Sequence, residues 1–127
     1  MKHLFLLIII SFATLNTFAQ DLSCKKFRNG TFKLMNENRI TIIKRAGSEQ
    51  LEYFNGSKTP TSYSVSWLDD CTYVLRPKAE VFKKYPGMPK DAALTVKIIK
   101  TTANSYTQTT TSNFSDNVLT GEVIRIK

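Results

Sequence analysis

The chain has 127 residues, 42% hydrophobic and 22% charged, and its 18 Lys and Arg outnumber 10 Asp and Glu for a net charge of +8. That length supports one domain with a core of modest size and excludes a large multidomain enzyme. A single histidine, His3, and only two cysteines, Cys24 and Cys71, limit the chemistry further.

The N-terminus opens with Lys2, an apolar run from Leu4 to Ile10 extended by Phe12 and Ala13, and then Thr17-Phe18-Ala19-Gln20. This is the layout of a secretory signal peptide cleaved after Ala19. The run is well short of the roughly 20 apolar residues that span a bilayer, so a soluble product is expected, residues 20–127, periplasmic or secreted. Cys24 also raises a lipid-anchored form, but Asp21 stands three residues before it, where lipoprotein processing resembles an apolar position. Thr17-x-Ala19 fits ordinary cleavage better. In an oxidising compartment Cys24 and Cys71 are expected to pair, stabilising the fold by about 4 kcal/mol on a chain-entropy argument. Two free thiols are the alternative.

β-rich stretches follow at Gly30 to Met35, Arg39 to Arg45 and Gln50 to Phe54, separated by Asn36-Glu37-Asn38 and Ala46-Gly47-Ser48 and closed by Asn55-Gly56. Thr61 to Leu68 alternates strictly, with Tyr63, Val65 and Trp67 on one face and Ser62, Ser64 and Ser66 on the other. Cys71-x-Tyr73-x-Leu75 repeats the alternation after Asp69-Asp70, which predicts an antiparallel hairpin. Residues 78–85 form a short helix in this reading, broken by Pro86-Gly87-Met88-Pro89, and Pro77 to Ala93 lies across one open end of the sheet. Leu94 to Thr102, Ser105 to Thr111 and Val118 to Ile126 complete seven or eight strands. Gly121 is expected to permit a bulge or close strand packing. The expected fold is all-β: an antiparallel up-and-down meander forming a small barrel or curved sheet.

Export would remove His3, leaving no histidine for a Ser-His-Asp or Cys-His arrangement or for a zinc site. Asp69 and Asp70 belong to a turn, where aspartates accept bonds from turn amides, and the remaining carboxylates are too scattered for a calcium loop. The glycines form no phosphate-binding loop. No catalytic residue, metal or cofactor is therefore expected. Lys25, Lys26 and Arg28 surround Phe27, Lys83 and Lys84 lie between Phe82 and Tyr85, and Lys44-Arg45 closes the second strand. Such interleaving can bind nucleic acid, but export separates the chain from it. A solvated basic face remains, with the aromatics in the core and a leaning toward anionic partners. Asn29-Gly30-Thr31, Asn55-Gly56-Ser57 and Asn113-Phe114-Ser115 match the glycan acceptor pattern and are read as turns.

Phe27-x-x-Gly30-x-Phe32 resembles the opening Gly-x-Trp strand of lipocalins, with phenylalanine in place of tryptophan. Together with Ile40 to Arg45, Gln50-x-Glu52 and Trp67-x-x-Asp70-Cys71-x-Tyr73-x-Leu75, it also resembles a group of small exported bacterial β proteins that often carry a "DNA topoisomerase IV" label. Nothing in the chain supports that activity. The resemblance implies a ligand-binding barrel, with Tyr63, Val65, Trp67, Tyr73 and Leu75 as candidate lining for a small apolar or anionic amphipathic ligand. The alternative for these five is that they fill the core. A second function class is a protein-interaction or inhibitor domain acting on an envelope protein through 77–93.

Overall fold

The computed structural model describes residues 22–127; the expected signal peptide and its cleavage site lie outside them. Eight strands, β1 (Gly30–Asn36), β2 (Arg39–Ala46), β3 (Glu49–Phe54), β4 (Thr61–Trp67), β5 (Thr72–Pro77), β6 (Leu94–Thr101), β7 (Ser105–Ser112) and β8 (Leu119–Arg125), pair in chain order. β1 and β8 then pair with each other, so the antiparallel sheet closes into an up-and-down barrel. Closure leaves no unpaired edge.

Residues opposite one another across a ladder share a face, so the register names the interior. Phe32 faces Ile43, Ile43 faces Glu52, and Arg45 faces Gln50. Tyr63, Val65 and Trp67 of β4 oppose Pro77, Leu75 and Tyr73 of β5, as the expected hairpin requires. Its turn is held by the Asp69 carboxylate, which accepts from the Cys71 amide at 2.8 Å. One irregularity breaks the ladders between β6 and β7 at Ile98 to Lys100. Ile99 is the extra residue, and it and Lys100 both face outward, which returns Thr101 to the inner face opposite Tyr106.

The two ends of the barrel differ. At one, a 3-10 turn (Lys25–Phe27) carries Phe27 into the interior with no exposed surface. The Phe27 ring centre lies 5.1 Å from that of Tyr106 and 6.3 Å from that of Phe32. Cys24 is disulfide-bonded to Cys71, which ties this plug to the β4–β5 turn. Arg125, ending β8, lies 5.0 Å over the Phe32 ring and donates to the carbonyls of Asn29 and Lys26. This end is closed.

At the other end lie the β1–β2, β3–β4 and β7–β8 connections and a short helix, α1 (Ala79–Lys84). Pro77 before it and Pro86 after it confine it to six residues. α1 packs on β4 and β5. The segment after it is tied to the β7–β8 connection by Asn113, which bonds the Asp91 carbonyl and the Ala93 amide. Residues 78–93 therefore run along the rim of the open end.

Candidate functional site

The barrel's interior is divided into a filled half and an open half. The filled half centres on Arg45, which is 2% exposed. Its Nε donates to Gln50 Oε1 at 2.8 Å, Nη1 to the Phe27 carbonyl at 2.7 Å, and Nη2 to the hydroxyls of Tyr73 and Tyr106 at 2.8 and 2.9 Å. The guanidinium also lies 4.6 Å from the Tyr73 ring centre and 5.1 Å from that of Phe32, so both of its faces and most of its N–H groups are occupied. Burial acts to lower its pKa, but Tyr73, Tyr106 and Glu52 outweigh that effect and Arg45 stays charged.

This corrects the expectation that Lys44-Arg45 forms part of a solvated basic face. Both alternations of β2 carry apolar residues, Ile40 and Ile42 on one side and Ile43 on the other, so periodicity does not decide which basic residue turns inward. The register decides it: Arg45 shares the inner face with Ile43 and Thr41. Phe27 belongs to the core as expected, whereas Tyr85 is exposed.

Arg45 touches no carboxylate. Its charge is relayed instead: Gln50 accepts from Arg45 and donates through Nε2 to Glu52 Oε1 at 2.9 Å. Glu52 Oε2 takes no hydrogen bond among the described residues. Burial raises the Glu52 pKa, opposed by the Gln50 bond and the Arg45 charge. The residue still keeps accessible area because it borders the open half of the barrel.

That open half is a cavity of about 150 Å³. Every strand except β4 contributes: Leu34, Ile43, Leu75, Leu94, Val96 and Leu119 form apolar walls, and Gln50, Glu52, Tyr73 and Gln108 form a polar floor. Tyr73 donates to Gln108 Oε1 at 3.4 Å while accepting from Arg45. Burial raises the Tyr73 hydroxyl well above its ordinary pKa, with Arg45 acting in the opposite sense. Gly121 helps create the space. It points inward without a bulge, and an added Cβ would come within 2.8 Å of Leu34 Cδ1. At the mouth the cavity adjoins a rim groove of about 260 Å³ shared through Leu94, Thr110 and Leu119 and continued by Phe114.

Of the five candidate lining residues, Tyr73 and Leu75 border this cavity. Tyr63 and Val65 are buried in the β4 wall, and Trp67 is half-buried, its ring centre 4.6 Å from Tyr73 and 4.9 Å from the Arg28 guanidinium. Sequence reasoning missed Gln50, Glu52 and Gln108, because polar residues facing inward leave no trace in hydrophobic alternation. The available signal was the pairing of β2 with β3, which brings Arg45 to Gln50 and Ile43 to Glu52.

Among the described residues no cluster of three His, Cys, Asp or Glu could hold a metal ion, and no helix is long and apolar enough to cross a membrane. The disulfide is compatible with an oxidising compartment. No family model, curated protein or solved structure matches the chain.

Proposed function

We propose that this barrel is a non-enzymatic, exported binding protein of lipocalin-like design that holds a small, largely apolar ligand in its open half. The observation that carries the reading is the cavity, with apolar walls, a polar floor and an opening at one end only. Eight-stranded barrels are either filled by their own side chains or left with room for one small ligand, and this one does each in a different half. A volume of about 150 Å³ suits a ligand of about the size of benzene, with the rim groove available to a longer tail. Closed strand order, the aromatic plug of Phe27 and Phe32 and the Cys24–Cys71 bridge support the resemblance to lipocalins and to the small exported bacterial β proteins.

The test is a methyl-NMR titration with toluene. Shifts at Leu34, Ile43, Leu75, Leu94 and Val96 are the expected result, and they should vanish in Leu94→Trp, which fills the mouth. Shifts confined to surface methyls would count against a cavity ligand. In that case the second reading, a protein contact through 77–93, would gain, because Tyr85 and Phe114 stand exposed beside Pro86 to Pro89.

A further inference from the structure

The cavity floor carries one carboxylate oxygen with no hydrogen-bond partner among the described residues, and it is placed where a ligand's head group would end. Three observations define what that atom accepts. Glu52 lines the cavity, its Oε1 is held by Gln50 at 2.9 Å, and its Oε2 has no hydrogen bond among the described residues. Gln50 cannot turn over to offer a different atom, since Arg45 fixes its oxygen at 2.8 Å. The orientation of the floor is set by the buried arginine.

We infer that the site selects a ligand with an apolar body and a neutral hydrogen-bond-donating head, a hydroxyl or amide N–H seated on Glu52 Oε2, and rejects the matching carboxylate unless a proton enters with it. This deepens the proposed function and rests on it. It also narrows the expected anionic amphipath to a neutral one.

The charges of the interior give the reason. Groups near Glu52 from the surrounding strands are Arg45 of β2, Tyr63 of β4 and Tyr73 of β5, with Tyr106 of β7 bonded to Arg45 behind them. Tyr85, after α1, lies beyond Tyr63. The inward residues of β1 (Phe32, Leu34) and β6 (Leu94, Val96, Ile98) and Leu119 and Val123 of β8 carry no charge, whereas Arg125, which ends β8 opposite Phe32, is charged and lies at the closed end over the Phe27 and Phe32 rings. Tyr63 and Tyr73 are pushed upward by burial and stay neutral. Among the described residues Arg45 and Glu52 are thus the cation and the anion nearest the cavity floor, linked through Gln50, while Arg125, beyond Phe32, is bonded to the carbonyls of Asn29 and Lys26.

A neutral donor leaves this pair intact. A ligand ammonium would leave an unpaired positive charge in a low-dielectric space, and a carboxylate would set two anions side by side, of which one must take a proton. Burial has already raised the pKa of Glu52, which makes it the acceptor of that proton.

The experiment compares toluene, benzyl alcohol and benzoate by methyl NMR and calorimetry on the wild-type protein and on Glu52→Gln, with each fold checked by near-UV circular dichroism. At pH 8 the wild type should bind benzyl alcohol at least about tenfold more tightly than benzoate, a gap of one affinity decade. Benzoate binding should take up about one proton, measured in two buffers of different ionisation enthalpy, and should strengthen about tenfold per pH unit on acidification. Glu52→Gln leaves Arg45 without its counter-charge, so benzoate should gain at least about tenfold at pH 8 and lose its proton uptake. Equal wild-type affinities for the alcohol and benzoate, or an unchanged ratio in Glu52→Gln, would overturn the inference while toluene binding kept the proposed function. If toluene too fails to reach the cavity methyls, both fall.

Discussion

Replacing Arg45 by methionine tests whether the filled half depends on one side chain. Methionine matches the stem and removes the guanidinium, with its desolvation cost. It also deprives four acceptors of their donors. The Tyr73 and Tyr106 hydroxyls stand 3.3 Å apart and can satisfy one another, but Gln50 Oε1 and the Phe27 carbonyl cannot, and each orphaned group costs about 1–3 kcal/mol. Glu52 loses its only counter-charge. Breaking one side of a buried charge pair costs about 3–5 kcal/mol, and Arg45→Met should fall in that range, measured from urea unfolding curves with an unchanged m-value. The double variant Arg45→Met/Glu52→Gln should be less destabilised than the sum of the singles, by about 1–2 kcal/mol, because the second change removes the charge the first left stranded. A loss below about 1 kcal/mol for Arg45→Met, or strict additivity, would refute the picture of a relayed pair.

Other predictions follow from the same structure. Cys24→Ser/Cys71→Ser should lose about 4 kcal/mol for a bridge spanning 47 residues, read by denaturant midpoint, and reducing agent should have no further effect on that variant. Gly30→Ala should destabilise by about 1–3 kcal/mol in the same assay, because Gly30 has φ +144° and its Cβ would meet the Arg125 guanidinium and Phe32; a neutral outcome would show that the closed end can shift. Native Glu52 titrates above its ordinary range, so the folded state binds more protons than the unfolded state between the two values. Wild-type stability should therefore fall as pH rises through that window relative to Glu52→Gln and run parallel to it on either side. Asp69 and Glu80, both lowered by hydrogen bonds at exposed sites, act in the opposite sense and cancel in the comparison.

What could be read from the sequence depended on how cleanly one face was apolar. Tyr63, Val65 and Trp67 against three serines leave a single choice of face, so the β4–β5 hairpin and its inner face were legible, although the expected two-residue turn at Asp69-Asp70 is a four-residue connection, 68–71. Regular turn formers gave the strand count, and the signal-like N-terminus, which predicts an oxidising compartment, pointed to the disulfide. Strand β7 is different: Thr107 to Ser112 is polar on both faces, so the inward turn of Gln108 and Thr110 emerges only from pairing with β6 and β8. The cavity is further removed still, because it is a volume left by Gly121 and bounded by seven strands. Gly121 did stand out in the sequence, with a bulge and close packing as open alternatives, and the close approach of Leu34 selects the second.

The β1–β8 seam governs how this chain folds. It joins Phe32 to Arg125 through Met35 to Glu122, and Arg125 reaches Asn29 across 96 residues of sequence. Every other ladder joins strands adjacent in the chain and can form as a local hairpin or meander step. The seam forms only when both of its flanks exist, and topologies that depend on such distant contacts fold slowly, on the order of milliseconds to seconds. Until then β1 and β8 each present an open edge, the state in which strands of different molecules join. Aggregation of this protein is consequently a hazard of refolding and not of the native barrel, and dilution during refolding should raise the yield of closed monomer.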